Sequence, residues 1–335
     1  MQPADLLEEF IQDIISRNDS MISYQNMLIQ SYADKPLNEI ESLLKSAIEE
    51  NRIYRGFDKN NRNPANDFEL MEQETPSTIV QKYYRDDEHV KKYTQSFIDR
   101  KNIINSADYL TDEQKALKMR TAKIMLNLKL KSFYQDLPEE DKEKHKKDHY
   151  KEILSGIEAE VENRRIVQME FNQNKSDDEI MVFDEERDKG CCTKSLSVSL
   201  YKLQEKYGLD IFEELEDIEN IAHPKDLKGK LKHYIRTSES GNLEDIEIKR
   251  GDIIMLTTSQ GEPGHAMLCY DFDEETKEPL LLGFSNIANK VKANKNEFGG
   301  SRRGIVLDVN RLIQDTYQNL AKSKSRQQSV SGYER

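Results

Sequence analysis

Cysteine is scarce: three in 335 residues, Cys191, Cys192 and Cys269. Three thiols cannot build a disulfide framework, and so few fit a reducing compartment. Long apolar runs are missing as well. Nothing approaches the roughly 18 or more consecutive apolar residues that mark a membrane helix. The N-terminus, MQPADLLEEFIQDII, is acidic and amphipathic, whereas a secretory signal is basic and then uniformly apolar. The expectation is a cytoplasmic protein, or one exported by a dedicated secretion system, with no membrane partner. Positive charge is also in deficit. Fifty Lys and Arg stand against 63 Asp and Glu, a net charge of −13, which repels a phosphate backbone and removes nucleic acid from the expected partners. Internal repeats and phosphate loops are absent too: Gly299-Gly300-Ser301-Arg302-Arg303 lacks the Walker spacing and a strand leading into a helix.

What is present suits two domains, since 335 residues exceed one ordinary domain. With 36% apolar and 34% charged residues, the chain reads as helix-rich with large solvated faces. Residues 1–171 form the expected helical domain. Leu6, Phe10, Ile11 and Ile14 recur at helical spacing up to a break near Asn18 and Asp19, and a second helix opens at Pro36. Lys59 to Pro76 is polar and aperiodic and reads as a loop, with helices resuming at Ser77. Thr111 and Gln114 have capping-box spacing, and a further helix starts around Pro138. On it, His145 and His149 stand one turn apart, a spacing that can ligate zinc. Lys146 occupies the acidic position a zinc protease needs, so the reading is an exposed charged face and no metal.

Residues 172–190 are polar and acidic and form the expected linker. Residues 191–321 change character. A helix from Cys192 to about Tyr207 and another from Pro224 to Ile235 precede four strand-like segments, Asp252–Thr257, His265–Tyr270, Leu280–Ser285 and Gly304–Val309. Helices followed by consecutive strands imply an α+β fold with an antiparallel sheet. A last helix from Asn310 to about Ala321 precedes a polar tail, 322–335, expected to be disordered.

The chemistry concentrates in this second half. Gly190-Cys191-Cys192-Thr193 puts two thiols at a helix start, where free backbone N–H groups and the helix dipole stabilise a thiolate. Stepping along the helix from Cys192 reaches Leu196, Leu200 and Leu203, the core-facing stripe, whereas Cys191 lies about 100° away. Cys192 is therefore the favoured nucleophile and Cys191 the alternative. His265 follows a turn, Gly261-Glu262-Pro263-Gly264, and opens a strand, a rigid and accessible position for a general base. A hairpin centred between Glu275 and Thr276 places His265 opposite Asn286, whose side chain could orient the imidazole. A one-residue slip would put Ser285 there instead.

These residues in this order (Gly190, Cys192, Leu196, Leu200, then Gly251-Asp252-Ile253-Ile254, then Gly264-His265) resemble the papain-like cysteine hydrolases. They are closest to the CHAP amidase and NlpC-type cell-wall peptidase branch. The resemblance covers roughly residues 185–310. It implies a papain-like domain with Cys192 as nucleophile, His265 as base and Asn286 as third member, acting without a cofactor on an amide or peptide bond. The substrate would be a protein or peptide, including peptidoglycan peptide, as for a cell-wall-type amidase or a bacterial effector; transfer and deamidation use the same groups. The acidic helical half would bind substrate or partner, a basic or amine-bearing one by charge. The competing expectation is a non-catalytic helical interaction protein with an inactive papain-like module, in which Cys192 and His265 lie far apart or are buried.

Overall fold

The computed structural model describes residues 2–51, 67–172, 191–212, 221, 223–257, 263–283, 292–294 and 303–331. The fold is α+β. Its two compact units do not follow the expected boundary: one joins Met1–Leu28 to Gly156–Arg335, and the other is Ile29–Ser155.

Among the described residues of the Ile29–Ser155 unit, every regular element is a helix, joined by short turns. The unit contains α2 (Leu37–Asn51), α3 (Asp67–Tyr83), α4 (Glu88–Asn105) and α5 (Asp112–Gln135), with the start of α6 (Glu139–Asn172). The Thr111 capping box forms, Thr111 Oγ1 accepting from the Gln114 N–H and the Gln114 side chain accepting from the Thr111 N–H. Two readings are corrected. Residues 67–76 are helical, with Pro76 inside α3; a proline removes one hydrogen bond without ending a helix whose buried stripe (Met71, Thr75, Ile79) continues through it. The His145 to His149 segment is not a solvated face: His145 stacks on Tyr83 at 4.1 Å between centroids, and His149 is buried.

In the other unit, α1 (Pro3–Ser31) continues without a break through Asn18, which is fully buried. Its Leu6, Phe10, Ile11 and Ile14 enter the same core as α7 (Cys191–Tyr207) and the sheet. That is the physical reason the N-terminal residues belong here: their apolar stripe has its partners two hundred residues later. A short helix α8 (Pro224–Lys230) and a 3₁₀ turn (Lys232–Tyr234) take the place of the single helix expected to Ile235.

Among the described residues the sheet has six antiparallel strands in the order β1-β6-β2-β3-β4-β5. They are β1 (Ile235–Arg236), β2 (Ile253–Thr257), β3 (Pro263–Phe272), β4 (Pro279–Leu282), β5 (Lys292–Asn294) and β6 (Gly304–Leu307). The sheet is buried on both faces. Ile253, Met255, Ala266 and Leu268 pack with α7, while Ile254, Met267, Cys269 and Leu281 form a second cluster. Helix α9 (Val309–Ser331) runs ten residues past Ala321, which corrects the disordered tail as far as Ser331. No glycine or proline interrupts it before Gly332, and Ser323 and Ser325 hydroxyls bond back to the Leu320 and Lys322 carbonyls.

Candidate active site

Helix α7 delivers Cys192 at its second residue, and it is enclosed on every side. Cys192 through Leu200 are all buried, which four small hydroxyl residues, Thr193, Ser195, Ser197 and Ser199, make possible. Ser197 donates its hydroxyl to the Thr193 carbonyl, and the Ser199 hydroxyl is shared between the Ser195 carbonyl and Asp13 of α1. Around this helix α1 supplies a row of carboxylates. Asp13 takes the Ser199 hydroxyl at 2.5 Å and Lys202 at 3.2 Å, and Glu9 takes Lys206 and the Tyr207 hydroxyl. Glu8 holds Arg250 and is depressed to about 2 by hydrogen bonds from Arg250 and Gln12. Because both faces of α7 are buried, the core-facing stripe does not by itself separate Cys192 from Cys191. Cys192 does have a partner across the site.

That partner is His265, the third residue of β3. Pro263 is accepted at the strand's first position, where no ladder donor is needed. Cys192 Sγ and the His265 imidazole are hydrogen-bonded, the Ala266 backbone N–H donates to the same sulfur, and the Thr193 hydroxyl lies 3.7 Å from it. Burial pushes the thiol pKa up. The His265 charge and hydrogen bond, the Ala266 N–H and Thr193 outweigh it, and bring the thiol from 9.0 to about 7. His265 moves the opposite way: burial lowers its pKa, but the charge and hydrogen bond of Cys192 win, and it stands above the usual value. Each group thus favours the charged form of the other, the electrostatics of a thiolate–imidazolium pair. Cys269 contrasts with it. Burial, with Asp252 and Asp271 nearby, pushes that thiol up to about 12, which suits strand packing alone.

The hairpin register differs from the expected one. Phe272 pairs Pro279 and Asp271 pairs Leu280 as anticipated, but the ladder shifts between Cys269 and Asp271, and Cys269 pairs Leu281. This β-bulge moves the pairing by one residue in the direction of the Ser285 alternative. Ser285 and Asn286 themselves lie outside the described residues, as does the Cys191 side chain.

Sequence reasoning did not single out Ala266, Thr193 or Gly283. A Cβ added at Gly283 would sit 3.2 Å from His265 Nε2 and 2.9 Å from Met267 Cγ. Met267 is flexible and can yield, whereas the imidazole is tied to Cys192. Gly283→Ala is therefore expected to slow alkylation of Cys192 roughly tenfold by displacing the ring, with a melting temperature close to wild type. Unchanged alkylation would show that the ring has slack.

The Gly251-Asp252 pair has a structural explanation of its own. Gly251 has φ +90°, and a Cβ there would come within 2.6 Å of Leu7 Cδ1. The fully buried Asp252 carboxylate accepts the Lys249 N–H at 2.6 Å and pairs with Arg236, while its backbone accepts from the Cys269 N–H at 2.8 Å. Burial is the largest influence on it and raises its pKa from 3.8 to about 6, despite Lys249 and Arg236. A raised carboxyl pKa means the folded state binds the proton more tightly, so stability falls as pH rises from about 4 through about 6. Asp252→Asn removes that dependence. Urea unfolding of the two proteins should diverge by about 3 kcal/mol across this window in favour of the variant, and parallel curves would refute it.

The unit also contains a cavity of about 250 Å³, but away from the thiol: it lies between α1 and α6 and is lined by Asp13, Arg17, Tyr24, Asn163 and Glu170 among others. Charge there is internally compensated, Arg17 pairing with Asp13 at 3.3 Å and Glu170 at 2.7 Å. No family model, curated protein or solved structure matches the chain.

Proposed function

We propose that the chain is a papain-like thiol hydrolase acting on amide or peptide bonds, with Cys192 as nucleophile and His265 as general base. The observation that carries this reading is the Cys192–His265 contact at the junction of a helix start and a strand start, with the thiol held near neutral pH. The Cys192 thiolate attacks the carbonyl carbon and the C–O π pair moves onto oxygen, where the Cys192 backbone N–H at the head of α7 meets it. Collapse breaks the C–N bond as His265 gives its proton to the leaving amine. Water, deprotonated by His265, then attacks the thioester, releases the carboxylic acid and regenerates the thiol pair. Asn286 is the proposed orienting group for His265, with Ser285 as the alternative. An amine in place of water would give transfer by the same steps. A protein or peptide target, peptidoglycan peptide included, fits the chemistry.

The test is to locate the adduct. After brief iodoacetamide treatment at mildly acidic pH, mass spectrometry should find Cys192 modified, and His265→Ala should remove that advantage. Slow, equal labelling of all three cysteines would sink the proposal.

A further inference from the structure

Helix α5 carries two apolar stripes on opposite sides. One is buried: Ala122, Leu126 and Leu130, the latter two in a cluster with Val80 and Val90. The other faces solvent. Leu117, Ile124 and Leu128 are 66%, 51% and 57% exposed, with Met125 beside them at 44%. At about 100° per residue these four fall within an arc of roughly 100°, centred nearly opposite the buried stripe. Cations border the arc on both sides, Arg120 and Lys131 along one edge and Lys118 and Lys129 along the other. The helix holds six Lys and Arg, and its two acids, Asp112 and Glu113, both lie in the first turn. From Gln114 to Gln135 it has no acid at all, in a chain with 63 of them.

We propose that α5 lies along the surface of a bilayer that carries anionic headgroups. Leu117, Ile124, Met125 and Leu128 would enter the boundary between headgroups and acyl chains, and Lys118, Arg120, Lys129 and Lys131 would meet the phosphates. An exposed apolar stripe with cations on both borders is the pattern of a helix that rests in a membrane interface. The lysine stems reach outward past the stripe while their ammonium groups stay in the polar layer. A second copy of the chain fits the surface poorly, because pairing α5 with itself opposes cation to cation with no acid beyond the first turn to compensate. The absence, among the described residues, of a helix able to cross a membrane is no obstacle, since a helix lying flat needs no spanning run. The expectation of no membrane partner rests on the missing apolar run and on the acidic N-terminus, neither of which bears on a helix lying flat.

The chain has no tryptophan, so Leu128→Trp supplies a single reporter at the proposed contact. With vesicles of phosphatidylcholine containing one third phosphatidylglycerol, its emission should shift to the blue and the full chain should sediment with the vesicles. With phosphatidylcholine alone, or in high salt, both effects should largely vanish. The pairs Leu117→Ser with Ile124→Ser and Lys118→Glu with Arg120→Glu should each weaken partition at least about tenfold. Their circular dichroism and melting should stay unchanged, because the exchanged side chains are exposed. No shift and no sedimentation with the anionic vesicles would overturn the proposal, and so would binding that survives both double substitutions. A reporter that ignores vesicles but responds to an acidic amphipathic peptide would also overturn it, in favour of a protein partner.

Discussion

His265→Ala is expected to slow iodoacetamide labelling of Cys192 at pH 6 by at least about tenfold. A thiol with a pKa of about 7 has roughly a tenth of its molecules ionised at that pH, and one at the ordinary value of 9.0 about a hundredfold fewer. Part of this is returned, because a more basic thiolate is intrinsically more nucleophilic; with a Brønsted slope near 0.4–0.5, two units give back slightly less than tenfold. The remainder is a floor. Without the imidazole the sulfur is still buried, and burial alone pushes the thiol above 9.0. The pH profile makes a second mark: the wild-type rate should rise through pH 7 and level off, whereas the variant should still be rising beyond pH 9. Equal profiles would show that His265 does not activate Cys192.

Phe10→Ala should cost about 3–5 kcal/mol, the usual penalty for emptying a buried aromatic site, and the loss should be felt in the C-terminal sheet. Phe10 is fully buried in one cluster with Leu196, Leu200, Ile253 and Ile305. Hydrogen exchange distinguishes this arrangement from an independent N-terminal domain. Amides of β2 and β3 should exchange faster in the variant, together with those of α1. Strand amides that keep their wild-type protection would place α1 outside that unit.

The parts of the fold that were legible in sequence are those whose signals are local. Thr111 with Gln114 marks a helix start because the two side chains satisfy each other's backbone donors wherever the helix then packs. Ile253–Thr257 reads as a strand because of its unbroken apolar run, and the meeting of Cys192 with His265 was foreshadowed by a helix start and a strand start that each present a side chain at an element's end. What was not legible depends on distant partners. Nothing in Leu6, Phe10 or Ile14 says that their stripe packs on α7 rather than on the next helix. Ile235–Arg236 is too short to show a period, and it is a strand only because Leu307 and Val306 pair with it. The bulge after Cys269 has no glycine or proline to announce it, so the hairpin arithmetic held near the turn and slipped by one further along. The polarity of residues 322–331 suggests disorder, although most of those residues are competent helix formers. The outward stripe of α5 is not legible in sequence because it opposes a buried stripe on the same helix, and two opposed apolar faces cancel in any measure of amphipathicity.

The enclosure of α7 limits how this sequence can diverge. Most helices have a solvent side on which a larger residue is accommodated at little cost. From Cys192 to Leu200 this one has none, and its small hydroxyl side chains set how closely α1, α6 and β3 approach. Among homologues, a bulkier residue at Ser195 or Ser199 is tolerable only with a compensating reduction at Asn163 or Asp13, the residues that touch them. Substitutions along this helix should therefore arise as pairs, and the segment that seats the thiol should drift more slowly than the chain around it.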